Sequence, residues 1–578
     1  MIPPMLLLEH AVALVLLWGV ALLPGLALAP WLRLRVGLAA APVVGVIYWS
    51  IALFLLPFAY GLDVALGLLV LIGGAALWSG ARQRWPFWRR LGWSHAILIL
   101  GSAPFLSTLI VHYVPQGMDA SMHTTAAALI ARHGGLPANY APYAPDVPFA
   151  TVNLGLPAVA AVAIRLGGDP AAVMLASQHL TFACLILATY VLLRRWTSCN
   201  PAAILAVVSV LMARATQATI GWGGFPTVMS VAVGILAVHL LLQLARSASL
   251  IHAVSTGAAI AAIPLVHGIG GGTWLYCVAP FTVLGCFATS MSLRQSCRGM
   301  AIAAVSACAI LGVYRLAGAV QVSADDITAT KIYVQSMAPP EDDWRALGSA
   351  LLLLRKDTGT VLLNGGWFAV LVLALRGRWR PALLLSSAWV MLAFVVANAR
   401  WYFLPGSFLL YPDRVLYWAM PLSIVSLALA WRTLPVGVAT MHPMNKLLAA
   451  GTLLLAGYFH LLYYQRPVRE GSLGSDAWET LAWARSHLRP GVDFVRADYN
   501  TAGAYLPALA MVGCTGSHHH HFLERYVKTA HQHRQPTFAL CDLQRVSAND
   551  LPKGTTVFRT ATIIVIKLPE AEAGSASL

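Results

Sequence analysis

The chain has 578 residues, 58% of them hydrophobic and 10% charged, with 38 Lys and Arg against 22 Asp and Glu and a net charge of +16. A water-soluble chain carries about 25% charged residues, so this composition excludes a cytosolic enzyme and points to a surface solvated largely by lipid. The basic excess needs no nucleic-acid partner, because basic loops on the cytoplasmic side of a membrane protein supply it.

In chain order, apolar runs of about 20 residues predict spans near 7–28, 36–57, 62–79, 94–112, 171–193, 200–214, 226–245, 250–267, 269–289, 299–317, 359–375, 381–397, 415–431 and 446–463. With about fourteen spans, the basic clusters at Arg33/Arg35, Arg82 to Arg90, Arg194/Arg195, Arg246, Arg294/Arg298, Arg376/Arg378/Arg380 and Arg432/Lys446 all fall on the cytoplasmic side. That parity requires 150–164, an apolar run of about 15 residues, to stop short of a full crossing and to form an interfacial or re-entrant helix. The expected fold is an all-α polytopic membrane domain (1–464) plus juxtamembrane helices, followed by a small α/β extracytoplasmic C-terminal domain (465–578). In that domain a charged helix is expected over Asp476 to His487 and an alternating strand over Thr555 to Ile566.

The acids are placed informatively. Residues 1–324 contain only Glu9, Asp63, Asp119, Asp146 and Asp169, and ten acids lie from Glu470 onward. The predicted topology puts three long connections outside, 112–150, 318–358 and 398–414. Asp119 and Asp146 fall in the first, Asp325, Asp326, Glu341, Asp342, Asp343 and Asp357 in the second, and Asp413 in the third.

In the first of these, Asp119 and His123 are four apart ahead of a helix that stops near His133-Gly134-Gly135, so they share a helix face. One reading makes Asp119 the N-cap of that helix. The other makes it a general base or metal ligand at a membrane surface, backed by the imidazole. Asp119 with His123, then Leu136-Pro137, then the aromatic and proline-rich stretch Tyr140 to Pro148, then an apolar helix, resembles the first external loop of the GT-C membrane glycosyltransferases. The resemblance covers most of the chain as architecture and specific residues only in patches.

That resemblance implies that Asp119 is the catalytic base or a metal-binding carboxylate, with a divalent cation (Mg or Mn) as candidate cofactor. It makes the second loop, with Asp325, Asp326 and Asp342, a flexible segment over the substrate; paired acids there could join Asp119 around a cation, or simply be solvated. Tyr143 is a further candidate in the first loop. Arg414, at the end of Tyr411-Pro412-Asp413-Arg414, suits a phosphate through its bidentate fork and takes the donor phosphate by resemblance; snorkelling at a helix end is the alternative. Arg400 and Lys331 are weaker choices for the same anion.

His267-Gly-Ile-Gly-Gly-Gly272 lacks the lysine of a phosphate loop and is expected to be a helix break. The native run His518 to His521 is a candidate metal or substrate contact, with His519 singled out by resemblance to tails that cover catalytic loops. Cys514 and Cys541, both in the tail, are free to pair outside the cytoplasm. The expected activity is transfer of a sugar from a polyprenyl-(di)phosphate carrier to a glycan, lipid or protein acceptor at the outer face of a bacterial inner membrane, with membrane lipid as solvent and the C-terminal domain periplasmic. The alternatives are a transporter or flippase of lipid-linked sugar, and a non-catalytic glycan-binding relative.

Overall fold

The computed structural model describes residues 2–32, 37–55, 61–78, 93–149, 153–247, 249–289, 292–316, 328, 331–332, 334–336, 339–341, 344–401, 410–433, 450–451, 454, 458, 473–497, 502–515 and 534–569. Leu- and Ala-rich runs coil into helices because a backbone in lipid must satisfy its own polar groups. The first half holds α1 (Pro4–Leu32), α2 (Gly37–Leu55), α3 (Gly61–Trp78), α4 (Trp93–Ser102), α5 (Ser107–Val111), α6 (Met118–His133), α7 (Gly155–Arg165), α8 (Pro170–Leu193), α9 (Cys199–Met212), α10 (Arg214–Trp222) and α11 (Phe225–Ser247). Then come α12 (Leu250–Val266), α13 (Gly268–Cys277), α14 (Ala279–Thr289), α15 (Leu293–Leu316), α16 (Arg345–Thr358), α17 (Thr360–Leu375), α18 (Trp379–Trp401), α19 (Pro412–Val415) and α20 (Ala419–Trp431). The tail adds α21 (Ser475–His487) and α22 (Leu506–Leu509).

Among the described residues seven helices are long and apolar enough to cross a membrane, and the pair α13 and α14, bent by 42°, makes an eighth. The expected count of about fourteen is not reached on length. The runs at 36–57, 62–79, 200–214, 250–267 and 359–375 fall on shorter apolar helices, and 446–463 lies largely outside the described residues.

Helix α8 is the hub, buried along nearly its whole length and packed on α1, α2, α9 and α11. Beside it, α7 is only 11 residues long and buried continuously from Gly155 to Ala163, enclosed by α1, α2, α6 and α8. An interfacial helix would keep one face in lipid; α7 keeps none, which corrects that half of the expectation and leaves the re-entrant form. Its C-terminal Arg165 forks onto Asp63, Nε to Oδ1 at 2.7 Å and Nη2 to Oδ2 at 2.5 Å, while Nη1 donates to the Ala131 carbonyl at 3.0 Å. The start of α3, the end of α6 and the end of α7 are thereby pinned together.

The tail folds on a five-stranded sheet. Its strands, after β1 (Asn139–Tyr140) and β2 (Ala144–Pro148) of the first long connection, are β3 (Phe494–Arg496), β4 (Gly513–Cys514), β5 (Phe538–Asp542), β6 (Thr555–Arg559) and β7 (Ile563–Lys567), in the order β4-β3-β5-β7-β6. Strand β3 runs parallel to β4 and β5, and β7 antiparallel to β5 and β6. The single strand expected over 555–566 is instead a hairpin, because Asp476 Oδ2 accepts from the Thr562 N–H and hydroxyl, both at 2.7 Å, and fixes the turn. Cys514 and Cys541 are free thiols. The pairing left open by the sequence is ruled out by geometry: β3 lies between their strands, so the two are at least roughly 9–10 Å apart by strand spacing alone, beyond disulfide reach. They also belong to separate hydrophobic clusters.

The sheet and its helices share a core with the membrane domain, since Val114 and Ala171 pack in the same cluster as Leu481, Tyr505 and Val565. Three polar joints reinforce it. Tyr505 donates to the Pro115 carbonyl at 2.5 Å. Arg485 pairs with Asp169 at 2.5 Å, the residue whose Oδ1 caps α8 by accepting from the N–H groups of Ala171 and Ala172. Arg534 donates to the carbonyls of Tyr143 and Gly491, at 3.0 and 2.8 Å.

Candidate functional site

The segment before α6 is held from several sides. Gln116 Nε2 donates to His112 Nδ1 at 3.1 Å, and burial pushes the His112 imidazole down to about 4, so it is neutral near pH 7. Tyr505, held protonated by full burial, takes Pro115. Gly117 has φ +88°, a left-handed value that suits glycine. A Cβ there would lie 2.1 Å from the Trp222 carbonyl carbon. The contact is reciprocal, because Gly223, at φ +89°, would place a Cβ 2.4 Å from the Ala120 nitrogen. Two backbones thus meet with no side chain between them, and the end of α10 is locked against the start of α6.

Asp119 sits in the first turn of α6, whose N-cap is Gly117. The expected N-cap role is therefore corrected: the positive φ of Gly117 ends the loop two residues earlier, leaving Asp119 inside the helix where a carboxylate complements the macrodipole. His123 follows one turn later and is buried.

Arg414 meets the side chain of Trp222, the residue whose backbone forms this joint. Its guanidinium carbon stands 3.7 Å from the centre of the Trp222 ring, a cation–π geometry, and its Nη1 pairs with Asp413 Oδ2. Gly224 makes room for that ring, since a Cβ there would overlap the indole. Helix α10 was not expected from sequence; it starts at the last residue of the run 200–214 and otherwise fills the gap before the run 226–245. The available signal was Trp222-Gly223-Gly224, an aromatic followed by a helix stop.

The His267 break is present and forms the neighbouring wall. His267 caps α13, its Nδ1 accepting from the Gly270 N–H at 3.1 Å. The other ring nitrogen then carries the proton and donates to Thr227 Oγ1 at 3.3 Å. Asn153 Oδ1 accepts from the Gly268 N–H at 3.0 Å, tying the approach to α7 to this turn. Ile269, Val334 and Tyr411 pack together, so the second and third connections arrive at the same end of the bundle.

Of the expected site residues, Arg414 stacks on the Trp222 ring, Asp119 lies in the first turn of the helix whose start meets the Trp222 backbone, and His123 is buried one turn further along. Tyr143 is a core residue, 1% exposed, set edge-on to Tyr140, with its hydroxyl pushed well above the usual phenol range by burial and by Tyr140. Lys331 is exposed. Asp325, Asp326, Asp342, Asp343 and the run His518 to His521, including His519, lie outside the described residues, as does the side chain of Arg400. No three His, Cys, Asp or Glu residues among the described ones gather to hold a metal ion. The arrangement sets a guanidinium on an indole whose backbone meets the start of the helix that carries Asp119, at the end of an apolar bundle, which suits an amphiphile carrying an anionic group. No protein-family model matches the chain, and no curated protein does either.

Proposed function

We propose that the protein is a polytopic membrane glycosyltransferase of the GT-C kind, crossing the bacterial inner membrane about fourteen times, with the Trp222 end of the bundle and the tail in the periplasm. The observation that carries the reading is the placement of Arg414 and of the α6 start bearing Asp119 against one residue, Trp222. The donor is a sugar on a polyprenyl phosphate or diphosphate, whose lipid reaches the site from the bilayer. The acceptor is a glycan, lipid or protein hydroxyl.

In this mechanism the acceptor oxygen attacks the anomeric carbon as the bond from that carbon to the phosphate oxygen breaks. Asp119 takes the acceptor proton, and the departing lipid phosphate keeps the bonding electrons, its charge met by Arg414. Where Asp119 serves as a metal ligand, a divalent cation held there would supply charge neutralisation at the phosphate. His123 supports Asp119 from the next turn.

The test is Asp119→Asn in the full chain. Sugar transfer from a lipid-linked donor is expected to fall by about 10²–10⁴ in a protein that still folds; intact transfer would end the catalytic assignment. One observation favours the transporter reading: Gln178, 1% exposed within α8, leaves both amide atoms without partners among the described residues, and buried polar groups inside spans mark translocation paths. Under that reading Asp119→Asn leaves flipping of the lipid-linked sugar untouched and there is no transfer to lose.

A further inference from the structure

Asp413 is more than a counter-ion for Arg414. One carboxylate oxygen, Oδ2, is spent on the Arg414 Nη1. The other, Oδ1, is buried and has no hydrogen-bond partner among the described residues, although the side chain as a whole is 39% exposed. An ionised oxygen shut away from water without a donor is costly, and such an atom commonly marks a place where a missing group belongs. The donor it lacks is a hydroxyl or an N–H. Arg414 is stacked on the Trp222 ring, donates through Nη1 to Asp413 and is 19% exposed.

We propose that Asp413 and Arg414 together read a phosphate flanked by a hydroxyl: Arg414 takes the phosphate oxygen and Asp413 Oδ1 accepts a hydrogen bond from a hydroxyl of the attached sugar. This rests on the glycosyltransferase reading above and names within it the feature of the donor that distinguishes a charged carrier from a spent one. A bare polyprenyl phosphate offers Arg414 its charge and Asp413 nothing except repulsion. A glycosylated one satisfies both. The site therefore favours binding of the loaded donor and release of the carrier after transfer.

The test uses the full chain in lipid nanodiscs and two probes, a short-chain polyprenyl phosphate and the same lipid phosphate carrying one hexose. Asp413→Asn is expected to weaken the hexose-bearing probe about ten- to a hundredfold, the range for a hydrogen bond to a charged group, while the bare phosphate binds as well or better. Asp413→Glu, which keeps the charge but displaces the oxygen by a methylene, gives the same selective loss and serves if the Asn variant fails to fold. Arg414→Gln weakens both probes. If the Asp413 variants weaken both probes alike, or neither, Asp413 is only a counter-ion and the inference falls while the phosphate role of Arg414 stands. If Arg414→Gln leaves both probes unchanged, the phosphate assignment falls, and the Asp413 role with it.

Discussion

Trp222 joins two residues far apart in the chain, and its removal separates two effects. Trp222→Ala is expected to lower affinity for a lipid phosphate roughly tenfold, since a partly buried cation–π pair contributes about 1–2 kcal/mol, and Arg414→Lys should follow it because an ammonium loses the stacked, forked geometry. Gly117→Ala and Gly223→Ala act through the backbone. Each puts a Cβ into another main chain at 2.1 and 2.4 Å respectively, in a conformation that costs about 1–3 kcal/mol for a non-glycine residue, and a lowered unfolding midpoint checks it. His112 adds a pH dependence. Its folded value near 4 lies below the ordinary 6.5, so between those values the unfolded chain binds more protons and stability falls as the pH drops through 6.5 toward 4. His112→Gln should lose less stability between pH 7.5 and pH 5 in unfolding scans. At this scale the scarcity of charge in apolar surroundings singles out Asp119 and Arg414 in the sequence, and the spacing of four adds His123. Neither signal reaches Trp222, since an indole in a chain with 19 tryptophans carries no mark of the arginine it will meet.

Among elements, long-range partners decided what local pattern could not. Helix α7 was legible as a non-crossing segment from charge parity, but its full enclosure depends on α1, α2, α6 and α8 and has no local signal. The strand expected through Thr560 to Thr562 broke into a hairpin because Asp476, more than eighty residues away, captures the turn; alternation alone cannot register such a partner. The tail joints are testable. Tyr505→Phe keeps the ring and removes the donor, leaving the Pro115 carbonyl buried and unpaired at a cost of about 1–3 kcal/mol. Limited proteolysis should then cut the tail faster, and hydrogen exchange at 113–119 should rise. Unchanged exchange there would show that the tail does not hold the approach to Asp119.

For the whole molecule, the step in acid content near residue 470 predicts a change of solvent, and the five-stranded sheet lies beyond it. What composition could not show is that the tail buries Val114 and Ala171 in its own core. In the proposed orientation, protease added to sealed inverted vesicles spares the tail while intact spheroplasts expose it; the reverse pattern overturns the topology.

The enclosure of α7 also bears on how the chain is made. Eleven residues reach about 16 Å as a helix, roughly half of an apolar core about 30 Å thick, and Arg165 has its Asp63 partner only once α3 is in place. We expect that α7 is not delivered by the insertion machinery as a crossing unit. It must be drawn in afterwards, when α8 closes the far side of its cavity, so that a nascent chain truncated before residue 193 leaves 155–165 accessible to a membrane-impermeant thiol reagent at an introduced cysteine, whereas the full-length chain protects it. Protection already present in the truncated chain would place α7 in the membrane on its own account.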